Sequence, residues 1–253
     1  MAESFGTDPE RYDRTRPRYP EALVARIAAA APGPDVLDVG CGTGIASRQF
    51  RAAGCTVLGV DVDPRMAEYA RGHGLDVEVG RFETWDAAGR SFDAVVAGQT
   101  WHWIDPEAGA AKAAHVLRPG GRIALFWNVF RSTPDVAEAF AAAHRAALPD
   151  APRNPWAGPA LDAYDTILGT VSDGLRATGL FGAPEEWRFP WEATYTRDVW
   201  LEQLRTSGEA GTYAPEQLDD LVARTGAAID AMGGTFTLPY TAVVVTAERA
   251  PGQ

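Results

Sequence analysis

The segment Val36-Leu37-Asp38-Val39-Gly40-Cys41-Gly42-Thr43-Gly44 places three glycines at alternate positions, two residues after an aspartate in an apolar run. Glycine adopts positive φ freely and lets backbone approach a ligand closely. Three open readings follow: a tight turn alone, a dinucleotide site, or a site for a cationic cofactor. The dinucleotide fingerprint spaces its glycines G-x-G-x-x-G, whereas here Ile45 stands where the third would fall. A carboxylate at Asp38 would repel a pyrophosphate and suit a cation. A second acid, Asp61, ends the run Thr56–Val60. An acid about 20 residues beyond such a loop can accept hydrogen bonds from ribose hydroxyls. Asp63, before Pro64, reads instead as a helix N-cap.

Two further clusters could do chemistry. Gly98-Gln99-Thr100-Trp101-His102-Trp103 follows the apolar run Phe92–Ala97. A histidine titrates near neutrality and can act as a base or orient a substrate; core packing is the alternative. Tyr12 to Pro20 carries Arg14, Arg16 and Arg18 with Tyr19, and Arg11 precedes it. Those arginines are either a solvated arm or a pocket mouth for a carboxylate-bearing substrate. The four histidines lack metal-ligand spacing, so no metal is expected.

The elements that must position these residues alternate. Strands are predicted at 36–39, 56–60, 75–79, 92–97 and 122–127, and helices at 21–31, 43–53, 64–71 and 106–117. That rhythm predicts βαβ units and a parallel sheet. Beyond about residue 129 it changes. Helices are expected at 134–148, 197–206 and 215–231, with an irregular proline-rich connection at 149–160. Alternating apolar residues at 187–195 and 236–244 predict two antiparallel edge strands.

On these motifs the chain resembles class I S-adenosylmethionine-dependent methyltransferases over residues 36–128. The Gln99-x-x-His102-Trp103 run and the Tyr12 to Pro20 segment are similar to a small-molecule subgroup that includes trans-aconitate methyltransferase-like proteins. The resemblance implies an α/β, doubly wound, seven-stranded, mostly parallel sheet with antiparallel C-terminal strands and a helical lid. It implies one domain over 1–253, with a cofactor core at 21–130 and an N-terminal lid at 1–20. Substrate-covering helices would lie at 131–185 and 197–234, and the last strands at 186–196 and 235–247.

The cofactor would be S-adenosylmethionine, leaving as S-adenosylhomocysteine. Its expected ligands are Asp38, Gly40, Cys41, Gly42, Thr43, Gly44, Asp61, Val62, Met66, Phe82 (through its backbone), Glu83 and Gln99. Arg81 departs from relatives, which often carry an acid there. His102 and Tyr12 are the candidate catalytic groups, with His102 as base or as positioner. Arg16, Tyr19, Trp101, Trp103, Trp127 and Asn128 are candidate substrate contacts, and Trp156 and Tyr164 would belong to the cover. The implied reaction is O-, C- or N-methylation of a small molecule. Alternatives are a fold relative that binds the cofactor without methylating, a cyclase, or an NAD-dependent dehydrogenase.

Composition narrows the partners. The chain has 253 residues and a net charge of -11. That acidity disfavours a phosphate-backbone or polybasic membrane-surface binder. No apolar run reaches the ~18 residues of a membrane span. Met1 to Phe5 does not read as a signal peptide. The two cysteines, Cys41 and Cys55, are expected as reduced thiols in a cytoplasmic monomer or homodimer.

Overall fold

The structure is a computed structural model and describes residues 6–157, 160–207 and 210–251. Its sheet has seven strands in the order β3-β2-β1-β4-β5-β7-β6. They are β1 (Asp35–Val39), β2 (Thr56–Asp61), β3 (Asp76–Val79), β4 (Phe92–Gly98), β5 (Leu117–Phe130), β6 (Glu185–Thr196) and β7 (Thr235–Glu248). The first five run parallel, while β7 pairs antiparallel with both β5 and β6. The expected α/β doubly wound sheet with antiparallel C-terminal strands is present.

The parallel strands are apolar on both faces, as burial on both sides requires. Residues of alternate parity divide between two cores. Leu37, Val39, Val95, Ile123 and Leu125 face one layer. Val36, Ala94, Val96, Ala124 and Phe126 face the other, which holds α2 (Glu21–Ala30) and α3 (Ile45–Ala52). The first layer is made by α5 (Pro106–Val116) and α7 (Ala160–Thr178). Leu168, Val171 and Leu175 of α7 pack there with Val243 and Val245 of β7. Of the stretch 131–185 expected to cover the site end, α7 packs Leu168, Val171 and Leu175 on the sheet face and also touches the Trp101–Trp103 turn. Its apolar stripe announces a buried face, but periodicity does not say which surface buries it.

The cover is built from α6 (Pro134–Ala147), α8 (Arg197–Arg205) and α9 (Pro215–Ala231). They gather on the end of the β6–β7 ribbon that extends past the parallel strands. Phe140, Trp200 and Ile229 pack there against Tyr195, Phe236 and Leu238. The N-terminal α1 (Pro9–Thr15) touches α8 on one side and α4 (Pro64–Gly72) on the other, so it bridges cover and core. Among the described residues no helix is long and apolar enough to cross a membrane.

Candidate functional site

The glycine loop leaves β1 at its carboxyl end, where open α/β sheets bind ligands. Its three glycines have φ of 64° (Gly40), 55° (Gly42) and 83° (Gly44). Their reasons differ. A Cβ on Gly40 would fall 2.1 Å from Thr100, and one on Gly44 would fall 2.1 Å from Leu75. A Cβ on Gly42 would meet nothing within 4 Å. Gly40 and Gly44 are thus glycine for packing as well as φ, while Gly42 presents open backbone to whatever the loop holds.

Two carboxylates flank this loop. Asp38 is 1% exposed and accepts a 2.6 Å hydrogen bond from Ser47 Oγ on α3. Burial pushes its carboxyl up to about 7, with nearby Asp61 adding to the rise and Ser47 opposing it. Asp61, also buried, accepts from the Gly42 N–H at 2.7 Å and the Asp63 N–H at 2.8 Å, one on each oxygen. Burial raises it too, partly offset by those backbone donors. Neither carboxylate has a Lys or Arg ion pair among the described residues. A carboxylate oxygen has room for a second donor, so this pair can take a cation and hydroxyl donors. Asp63 behaves as read from sequence: it caps α4 by accepting from the Arg65 N–H.

The structure places the other expected cofactor residues around the loop with differing access. Val62, Glu83 and Gln99 are half-buried, and Met66 and Thr43 are buried. Gln99 has φ of 58°, so its backbone turns sharply after β4. The Cys41 thiol packs with Ala67, Ala70 and Val77, and burial pushes its pKa well up, so it is a filler and not a nucleophile. The Phe82 ring is buried against Trp101, leaving only its backbone to serve a ligand.

Past β4 the chain makes one 3-10 turn, Trp101–Trp103. A turn that tight sends successive side chains in different directions. Trp101 is 1% exposed and belongs to the core beside α5, which corrects its expected substrate role. Trp103 is 42% exposed, and its ring lies 4.8 Å from that of His102. Trp127 is fully buried, which corrects its role as a direct substrate contact as well. Its indole Nε1–H instead donates to His102 Nδ1 at 3.3 Å. His102 keeps an exposed edge, yet surrounding protein holds its pKa below the ordinary value.

The arginine arm resolves into pairs. Arg11 meets Asp8, Arg14 meets Glu202 on α8, and Arg18 meets Asp13. Asp13 also takes a 2.5 Å bond from Arg48, whose other amine donates to the Thr43 carbonyl at 2.7 Å. The arm is thereby pinned to the glycine loop. The sequence reading missed Asp13, Ser47 and Arg48; all three are polar residues on inward faces of short helices, a weak signal without the fold. Tyr19 is buried edge-on to Phe126, with its hydroxyl 2.5 Å from where a Gly98 Cβ would stand. Tyr12 is half-buried beneath Arg16. Asn128 is buried, donates to the Arg18 carbonyl at 3.3 Å, and leaves its Oδ1 without a partner among the described residues. An open recess of about 810 Å³ beside Asp35, Thr56, Asp76 and Arg118 lies at the opposite ends of the strands from this site.

Residues 37–125 match a family described as a methyltransferase domain. That segment is similar to a methyltransferase domain. An uncharacterized methyltransferase of Mycobacterium tuberculosis is 41% identical over 132 residues, covering 51% of this chain and 53% of that one. A malonyl-[acyl-carrier protein] O-methyltransferase of Hahella chejuensis is 34% identical over 133 residues, covering 49% and 47%. The chain thus matches about half the length of these relatives. The solved structure of a candidate type II methyltransferase from Anaeromyxobacter dehalogenans superposes with a TM-score of 0.65 at 24% identity, over 94% of this chain and 99% of that one. At that identity the likeness speaks to the fold. The matched methyltransferase region holds the glycine loop, both carboxylates and His102, whereas the cover lies outside it.

Proposed function

We propose that this protein transfers the methyl group of S-adenosylmethionine to a small-molecule acceptor. One observation carries the reading: two buried carboxylates, Asp38 and Asp61, flank an open positive-φ glycine loop and have no ion-pair partner among the described residues. Buried charge of one sign calls for the other, and this cofactor brings an ammonium, a sulfonium and ribose hydroxyls. Asp38 with the Gly40–Gly42 backbone would hold the cationic amino-acid end, and Asp61 the ribose. Val62, Met66, Glu83 and the Phe82 backbone would border the base, with Gln99 near the methionine end. When bound, the cofactor supplies a methyl already activated for displacement.

The protein's own part is positioning, which can supply about 7–11 kcal/mol of a barrier. His102 fits that role better than the role of base. Its Nδ1 lone pair receives the Trp127 N–H, so the neutral ring carries its proton on Nε2. This tautomer is assigned from the hydrogen bond. The open edge of His102 then donates a hydrogen bond to the acceptor and takes no proton from it. Tyr12, Tyr19, Trp103 and Asn128 would border the same acceptor.

Calorimetric titration with S-adenosylmethionine and S-adenosylhomocysteine, followed by labelled-methyl transfer over a metabolite panel, tests the proposal. Binding with transfer is expected. Binding without transfer would leave a non-methylating relative, and a thermal shift with NAD alone would point to a dehydrogenase.

A further inference from the structure

Three successive residues of α3 hold three different parts of the site. Ser47 donates to Asp38, Arg48 to Asp13 and the Thr43 carbonyl, and Gln49 to the arm at Tyr19. The last contact is double. The Tyr19 N–H donates to Gln49 Oε1 at 3.0 Å, and Gln49 Nε2 donates to the Tyr19 carbonyl at 2.7 Å. A carboxamide that gives and takes in this way imitates one hydrogen-bonded pair of an antiparallel ladder. Turned over, it would set donor against donor and acceptor against acceptor, so the pairing fixes its orientation. Tyr19 lies outside any helix or strand and has no ladder of its own to join. Gln49 thus supplies from α3 what a neighbouring strand supplies elsewhere.

What this clamp holds is a hydroxyl at the ligand end of the sheet. The Tyr19 ring stands edge-on to Phe126 with centroids 4.6 Å apart. Its hydroxyl lies over Gly98, the last residue of β4, where a Cβ would come within 2.5 Å of it. Thr100 Oγ1 lies 3.1 Å from the Gly98 carbonyl oxygen and 3.1 Å from that of Gly40. The Tyr19 hydroxyl, Gly98 and the first glycine of the loop are therefore neighbours across the carboxyl ends of β4 and β1. Burial pushes the Tyr19 pKa well up, so the hydroxyl keeps its proton. It makes no hydrogen bond among the described residues and has that proton to donate. We infer that Gln49 is a positioning residue for methyl transfer: by clamping the Tyr19 main chain it fixes the tyrosine hydroxyl beside Gly98, where that hydroxyl donates to the acceptor. Calling that ligand the acceptor rests on the methyl-transfer reading; the clamp does not. A misplacement of about 1 Å at a reacting centre costs about a hundredfold in rate. Both hydrogen bonds of the Gln49 side chain go to Tyr19 and none to the glycine loop, so cofactor affinity is not what it sets.

The test combines spectroscopy and kinetics on the whole protein. In NMR spectra with isotope-labelled tyrosine, the Tyr19 ring signal is assigned from its loss in Tyr19→Phe. A sharp signal that shifts on adding S-adenosylhomocysteine is expected in the unmodified protein, and a broadened one in Gln49→Ala with or without that ligand. With any acceptor that a labelled-methyl panel identifies, Gln49→Ala should lose about tenfold in kcat while its S-adenosylhomocysteine affinity stays within twofold. In a Tyr19→Phe background the same substitution should cost less than twofold, because no hydroxyl is left to position. Gln49→Glu keeps the accepting oxygen and regains a donor only when protonated. Its kcat relative to the unmodified protein should therefore rise as pH falls from about 7 to about 5. This isosteric variant takes over should Gln49→Ala fail to fold. A sharp, unmoved Tyr19 signal in Gln49→Ala, equal losses in both backgrounds, or a flat pH ratio in Gln49→Glu overturns the inference. Absence of S-adenosylhomocysteine binding or of transfer by the unmodified protein defeats the methyl-transfer reading instead, and the Tyr19 signal in Gln49→Ala still decides the clamp.

Discussion

Trp127 gives its indole N–H to Nδ1 of His102, so a residue buried in the sheet core sets the proton position on a ring at the site. This bond favours neutral His102, as does its partial burial. His102 should titrate below its ordinary value in NMR spectra, and Trp127→Phe should move it upward. His102→Gln keeps an N–H donor and should retain several-fold more kcat than His102→Ala. Equal losses in the two variants would restore the base.

The glycines separate binding from stability. Gly42→Ala forces a side chain to φ of 55° in open space, costing about 1–2 kcal/mol in backbone strain. Cofactor affinity should fall at least tenfold. Gly40→Ala adds a clash with Thr100 and should lower Tm further than Gly42→Ala does. Thermal melts and calorimetry on both variants check the order.

Asp38 gives the ligand-free protein a pH dependence. Its folded-state pKa lies near 7, above the unfolded 3.8. Between those values the unfolded chain releases a proton that the folded one keeps, so this group's contribution falls as pH rises and levels off above about 7. Asp38→Asn should therefore melt progressively higher than the unmodified protein as pH goes from 4 to 8. Affinity for S-adenosylmethionine should climb through pH 7 in the unmodified protein as Asp38 ionises, and should lose that climb in the variant.

The Asp13–Arg48 pair joins the arm to the glycine loop. Burial tends to raise the Asp13 pKa, but bonds from Arg48, Thr43 and Arg18 outweigh it and leave it lowered. Its stabilisation is present above the unfolded pKa and lost as pH falls through the folded one. Removing one partner of such a pair costs about 3 kcal/mol when buried, and less here because Arg48 is partly open to solvent. Asp13→Asn should free the arm for tryptic cleavage at Arg14 or Arg18 and weaken cofactor binding several-fold.

The sheet could be read from sequence because its evidence is local. Runs such as Phe92–Ala97 are apolar throughout, and Trp187 to Tyr195 alternates. The glycine loop was legible because alternate glycines have few other uses. What stayed hidden depends on contacts remote in sequence. Arg14 finds Glu202 across 188 positions. Trp101 and Trp103 are the same residue two positions apart, and only the 3-10 turn decides which enters the core.

β7 stands between β5 and β6 although it follows both in the chain. β6 pairs with β7 alone, so it has no sheet neighbour until β7 arrives. During synthesis on the ribosome the five parallel strands can assemble early, while β6 and the cover helices wait for the last strand to emerge. Ordering of the cover is thereby delayed until nearly the whole described chain has been made, and the aromatic face of β6 stays uncovered meanwhile. That interval is when the nascent chain is most exposed to aggregation and has most use for a chaperone.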